Sequence, residues 1–360
     1  MNSGNENNYQ AEDRKDTLTT LISKAAGWDA EFSEIRVDNI DNLMFCPNAV
    51  IYKGVSLPLD KGTQLGLLRC VGGPEHYWSE HTPAFQAKAL MEHARKWDFG
   101  HRPLLVHRNQ EELVTITRGD LHALPISDVV RAIEQGVGEN SPSLFVSRIG
   151  RAGLQVDIEL VSPSKALAVR PGDIVQSGLH ISHQRYGGSA TLIEAFIYRL
   201  VCSNGLVKRQ CVHGGGRQSR IRRLPAKMKN SHELQMEQVR RLARETWDGL
   251  EVQLERLQAT SERPANVMEL LQHWLEGARF SWRNIEGRVH AAWQKEDSEN
   301  TYYGAVNTLS RLATHEAELS DRQRRTLASL AGLLALSGAR VCPKCFSVLA
   351  RNQQDSEAAA

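Results

Sequence analysis

The sequence predicts an α+β protein: an antiparallel β-sheet with flanking helices, followed by a C-terminal helical region. Three observations carry this. Leu154, Val156, Ile158 and Leu160 alternate with Gln155, Asp157 and Glu159, which is the period of two of a half-buried strand. The pairs Pro171-Gly172 and Gly187-Gly188 divide the apolar runs around them, as successive hairpins require. From Ser231 onward the apolar spacing changes to i, i+4, i+7, with Leu250, Leu254 and Leu257 as a clear set, and that is helical spacing.

Taken in order, residues 1–15 are polar and expected to be disordered. Residues 16–27 suit a short amphipathic helix, and 32–70 read as short strands divided by Asn, Pro and Gly. Thr82 caps a helix that Pro83 opens. Residues 104–107 and 113–117 read as two strands. Ser127 is expected to cap the next helix, which Gly138 closes. A hairpin follows, with Gly150-Arg151-Ala152-Gly153 as its turn, and then a longer one joined by Gly187-Gly188. One continuous helix is expected from Ser231 to about Gln258. Pro264 opens another, carrying Val267, Leu271, Trp274 and Leu275, and two more cover 281–295 and 302–315. Ser320 with Gln323 forms a capping box for the last, which Gly338 ends. The expected division is therefore an α+β domain over 16–230, a helical region over 231–340 packed on the sheet, and a short 341–360 segment.

Charge is unevenly spread. No acidic residue falls between Glu194 and Glu233, yet nine cations do: Arg199, Lys208, Arg209, Arg217, Arg220, Arg222, Arg223, Lys227 and Lys229. The chain as a whole is +2, so the remainder carries a net −7. Gly214, Gly215 and Gly216 sit among these cations. Cations release counterions on meeting phosphates, and glycines let backbone N–H groups approach phosphate oxygens. Tyr198 and His213 are the neighbouring groups able to stack on a base. The competing reading is a solvated basic loop that aids solubility or docks the acidic remainder. No run approaches the roughly 18 apolar residues of a membrane span. The N-terminus has no apolar export segment, and six cysteines without a dense framework suit reduced thiols, so a cytoplasmic location is expected.

Gly172-Asp173, Gly178, Gly187-Gly188 and Tyr198-Arg199-Leu200-Val201-Cys202-Ser203-Asn204-Gly205 resemble the signature of an uncharacterised family. Its members are phage/plasmid-like proteins carried by prophages, plasmids and other mobile elements. Tyr303-Gly304-Ala305-Val306-Asn307-Thr308-Leu309-Ser310, with His315 behind it, is similar to that family's second motif, although Thr308 and Ser310 replace its usual Ala and Thr. The resemblance covers roughly 110–320. It implies a genome-maintenance or mobile-element setting and brings no reaction.

Cys342 and Cys345 have the Cys-x-x-Cys spacing of half a zinc site. Cys211 and His213 are the partners able to complete it in space, with Cys202 and Cys70 as weaker ones. Two free thiols, a redox pair, or half of a site shared across a homo-oligomer fit the same spacing. Cys202 is also read as a strand-end structural cysteine in preference to a nucleophile. Asp157 and Glu159 share a strand face in the manner of a metal-dependent nuclease, but Lys165 lies at the wrong spacing to join them. His180 and His183 are three apart on a strand, hence on opposite faces. His76, Tyr77, Trp78 and His81 make an aromatic loop suited to a lid or a partner surface. Without a phosphate-binding P-loop, dinucleotide fingerprint or nucleophile elbow, hydrolase chemistry has no support. The expectation is a non-enzymatic nucleic-acid-binding protein, DNA favoured, acting in single-strand binding or annealing. A protein-interaction factor is the alternative from another class, and a metal-dependent nuclease the third.

Overall fold

A computed structural model describes residues 16–37, 39–58, 81–96, 104–109, 112–118, 123–138, 144–152, 155–185, 191–199, 204–207, 230–296 and 299–337. The protein is a mixed α+β fold with antiparallel sheets, and its helices are concentrated in the C-terminal part. No helix of the described residues is long and apolar enough to cross a membrane.

Helix α1 (Leu18–Ala30) is capped by Thr17, whose hydroxyl accepts from the Thr20 N–H. Strands β1 (Phe32–Val37), β2 (Leu43–Cys46), β3 (Ala49–Tyr52) and β4 (Val55–Pro58) follow, then α2 (Pro83–Arg95), β5 (Leu104–Asn109) and β6 (Glu112–Arg118). They form two small sheets, β2-β3-β4 and β1-β5-β6, separate from the main one. Thr82 caps α2 and Pro83 opens it, as the sequence predicts.

Helix α3 (Ile126–Val137) departs from expectation at its start. Ser127 lies inside the helix, and the first N–H groups are satisfied by Asp29, whose carboxylate accepts from Ile126 N at 3.0 Å and Ser127 N at 2.9 Å. A carboxylate at the positive end of the helix does what a local cap would have done. It comes from 97 residues away, beyond the reach of a local pattern. Gly138 closes α3 with φ 65°.

The main sheet has the order β11-β10-β9-β8-β7, every neighbour antiparallel. Its strands are β7 (Phe145–Ala152), β8 (Gln155–Arg170), β9 (Asp173–Gln184), β10 (Leu192–Arg199) and β11 (Asn204–Val207). Gly150 and Arg151, expected in a turn, are strand residues, because pairing continues to Ala152 opposite Gln155. Cross-strand partners on both sides outweigh the turn preference of a single glycine. Gly172 takes the turn before β9 with φ 81°.

Face by face the alternation holds. Val156, Ile158, Leu160, Leu179, Ile181, Ile193 and Ala195 are buried together against α1, α3 and α4 (Ser231–Asp248). Helices α5 (Leu250–Ser261), α6 (Val267–Gly277), α7 (Trp282–Lys295), α8 (Tyr302–His315) and α9 (Asp321–Ser337) build a second core with Val169, Val175 and Ile197 from the turn end of the sheet. The single helix expected over 231–258 is thus two, parted at Gly249. Glycine weakens a helix interior, and the break lets α4 serve the first core through Met236, Val239 and Trp247 while α5 turns Leu254 and Leu257 into the second. The capping box before α9 is formed: Gln323 N donates to Ser320 Oγ at 3.3 Å and Ser320 N to Gln323 Oε1 at 2.9 Å.

Candidate functional site

Two polar clusters lie on the main sheet. The first sits where β9 begins and β10 ends. The Gly172 turn delivers Asp173 as the first residue of β9, and antiparallel pairing sets Arg199 opposite Val175. Arg199 Nε donates to Asp173 Oδ1 at 2.7 Å and Nη2 to Oδ2 at 2.8 Å, a forked pair. Its Nη1 donates to Glu296 at the end of α7, and Arg311 Nη1 of α8 donates to the other oxygen of Glu296 at 3.0 Å. Tyr303 of α8 donates its O–H to Asp173 Oδ2 at 2.9 Å. Burial, and then the Asp173 charge, hold the Tyr303 phenol well above its ordinary pKa, while the Arg199 charge and a hydrogen bond with Asn307 oppose the shift. Arg170 lies 5.1 Å from the same ring and donates to Thr301 Oγ1 at 3.1 Å.

Asp173, Arg199 and Glu296 are 8%, 6% and 5% exposed. Among the described residues two arginines face two carboxylates, a balanced and tightly hydrogen-bonded arrangement that holds parts together. Two glycines on β9 and α8 allow close backbone approaches. A Cβ on Gly178 of β9 would sit 1.8 Å from the Leu160 carbonyl oxygen, and one on Gly304 of α8 would sit 2.2 Å from that of Glu299. Neither backbone approach admits a side chain.

The second cluster is a row across four strands: Arg148, Glu159, His180 and Glu194 occupy successive paired positions on the face opposite the first core. Arg148 Nη1 is 3.9 Å from Glu159, and His180 lies 4.0 Å from both Asp157 and Glu194. Burial raises the Glu159 carboxyl to about 6; Arg148 opposes that shift and Asp157 adds to it. Glu194 is 4% exposed. Sequence reasoning passed over Glu194 as a site residue, although an acid inside the apolar run Leu192–Arg199 was the available signal. Asp157 and Glu159 share a face as expected, yet among the described residues no three His, Cys, Asp or Glu side chains gather to hold a metal ion. His180 and His183 do point to opposite faces. His183 is buried between Thr191 Oγ1 at 3.0 Å and the Leu124 carbonyl at 2.9 Å. Lys165 pairs with Glu251 on α5 and lies over the Trp247 ring.

Of the nine cations singled out by charge, Arg199 is the one within the described residues, and it is turned inward onto carboxylates. Charge counting had grouped it with the loop, whereas strand alternation and the two acids give it a buried place. Lys208, Arg209, Arg217, Arg220, Arg222, Arg223, Lys227 and Lys229 lie outside the described residues, as do Cys342, Cys345, Cys211, His213, Cys202, Cys70, His76, Tyr77 and Trp78. In the sequence, residues 208–229 lie between β11, the edge strand of the main sheet, and α4. Tyr198 is half-buried with its ring 6.3 Å from that of Phe196, and His81 packs at 4.3 Å on Phe85.

The first cluster brings together Asp173, Arg199, Tyr303 and Asn307 from among the residues that carried the resemblance. Residues 163–358 match the family described as a domain of unknown function, DUF932. The chain belongs to that family. The DUF932 match begins within β8, so it starts later than the resemblance suggested, and it includes the Cys342–Cys345 pair that the resemblance left outside. No curated protein and no solved structure matches the chain.

Proposed function

We propose that this DUF932 protein binds nucleic acid, DNA by preference, through phosphate contacts from the segment between β11 and α4. One observation carries the reading: residues 208–229 hold eight cations and no acid, and they are strung between a sheet-edge strand and a helix. A strand of phosphates is the chemistry that such a segment complements, because each contact releases a condensed counterion. The role is non-enzymatic, single-strand binding or annealing on a mobile genetic element. The inward turn of Arg199 sharpens the reading by leaving the eight segment cations as the contact set.

Fluorescence anisotropy of the full chain with labelled single- and double-stranded oligonucleotides, titrated across salt, tests it. Binding should weaken steeply with salt. Arg222→Ala with Arg223→Ala should lower the slope of log K against log salt by about 1.4 on single strands, and weaken all sequences alike. Absence of binding at low salt overturns the proposal. A protein that copurifies after nuclease treatment, with no oligonucleotide bound, would transfer the segment to a protein-interaction role.

A further inference from the structure

The turn joining α6 to α7 encloses an open cleft of about 580 Å³, lined by Gln272, Glu276, Arg279, Phe280, Ser281, Trp282 and Arg283. That volume falls in the range of small-ligand sites, roughly 300–1,000 Å³. Arg279 holds φ 64° there. Phe280 N donates to Leu275 O and Arg279 N to Glu276 O, each at 2.9 Å, the paired bonds of a Schellman helix end. Glycine is the ordinary occupant of that left-handed position, since a Cβ is strained in it. The arginine is thus not there for the turn, and what it adds is a guanidinium at the cleft.

Arg279 and Arg283 are both exposed, and among the described residues neither makes a side-chain hydrogen bond or an ion pair. Glu276 is the acid of the cleft, and Gln272 Nε2 donates to it at 3.1 Å, so the lining is net positive by one. The Ser281 hydroxyl makes no capping bond. Trp282 is half-buried against the second core and gives the cleft a ring surface. Forked guanidinium groups match the geometry of phosphate oxygens, and a ring beside them suits a base or sugar.

We propose that this cleft binds the phosphate of a nucleotide unit, free or within a strand, between Arg279 and Arg283. The site lies outside the 208–229 segment, and the inference does not depend on that segment's function. Calorimetric titration of the full chain with AMP and with inorganic phosphate, beside anisotropy with a labelled oligothymidine, separates the sources. Arg279→Gly suits the backbone, so its thermal midpoint should rise while AMP affinity falls about tenfold. Arg283→Gln should lose a similar factor, and Glu276→Gln should tighten binding by removing like charge. If AMP stays silent but oligothymidine affinity falls in Arg279→Gly, the cleft holds strand phosphates.

Inorganic phosphate binding as tightly as AMP overturns the nucleotide assignment. AMP and oligothymidine affinities that are both unmoved by Arg279→Gly and Arg283→Gln overturn the site. Arg222→Ala with Arg223→Ala should leave AMP binding intact, so failure of the segment's role and failure of this site give different results.

Discussion

Removing Arg199 is the sharpest test of how the sheet and helices are joined. Among the described residues, Arg199→Ala deletes three charge-assisted hydrogen bonds, two to Asp173 and one to Glu296. Such bonds contribute about 1.5 kcal/mol or more each, which gives a gross loss of about 4.5 kcal/mol. Tyr303 still donates to Asp173 and Arg311 to Glu296, so both carboxylates keep a partner and the net cost should be about 3–4 kcal/mol, within the range for breaking a buried pair. Arg199→Lys keeps the charge but not the fork, and should cost about half as much. Tyr303→Phe removes one neutral donor to a charged acceptor and should cost about 1–1.5 kcal/mol. Because Arg199 and Tyr303 share Asp173, the double variant should depart from additivity by at least about 0.5 kcal/mol. Urea unfolding followed by tryptophan fluorescence reads all of these, since Trp247 and Trp274 are buried, one in each core. A cost below about 1 kcal/mol for Arg199→Ala would show that the cluster does not hold the two layers together.

The other expectations follow from single geometries. The Glu159 carboxyl titrates at about 6 in the folded protein against 4.5. The folded state therefore binds its proton more tightly, and stability should fall by about 2 kcal/mol as pH rises from 4.5 to above 6. Glu159→Gln should abolish that fall and leave the protein more stable at pH 7, read as urea midpoints at both pH values. Gly178→Ala would press a methyl group onto the Leu160 carbonyl and should cost at least about 2–3 kcal/mol. Gly172→Ala, strained only by its positive φ with open space around it, should cost about 1 kcal/mol. Asp29→Ala should destabilise α3 by about 1–2 kcal/mol through its uncapped N–H groups, visible as faster amide exchange at Ile126 and Ser127.

The fold class, the alternation along β8, the Thr82 cap, the Gly138 stop and the Ser320–Gln323 box were all legible, because each rests on interactions within a few residues. What escaped depends on distance in sequence. Asp29 caps α3 across 97 residues, so Ser127 was the nearer and wrong choice. The break at Gly249 follows from two cores competing for one amphipathic run, which periodicity alone does not reveal. Glu194 joins His180 only through strand pairing, so neither stood out as half of a cluster. Arg199 shows the limit most plainly. Counting charge placed it with the loop cations, but its partners Asp173 and Glu296 lie 26 and 97 residues away.

Several of the residues that carried the resemblance have a structural role among the described residues. Gly178 lets β8 and β9 approach, Asp173 and Arg199 tie β9 to β10, and Tyr303 and Gly304 seat α8 on that pair. Each has a packing or hydrogen-bonding reason to be what it is. The match over residues 163–358 places the chain in the DUF932 family, and that family brings no reaction. Function then has to come from groups that the fold leaves unpaired. Among the described residues the guanidinium groups of Arg279 and Arg283 are such groups, and the sequence of residues 208–229 holds eight cations with no acid among them. On the proposed reading both sets take a phosphate, and the segment follows β11, whose Asn204 pairs with Arg199 at the end of β10. On the proposed reading, neutralising Arg222 and Arg223 should weaken oligonucleotide binding with stability unchanged, whereas Arg199→Ala should lower stability and leave binding of the still-folded protein close to that of the parent. Comparing the two variants separates what builds the protein from what it uses.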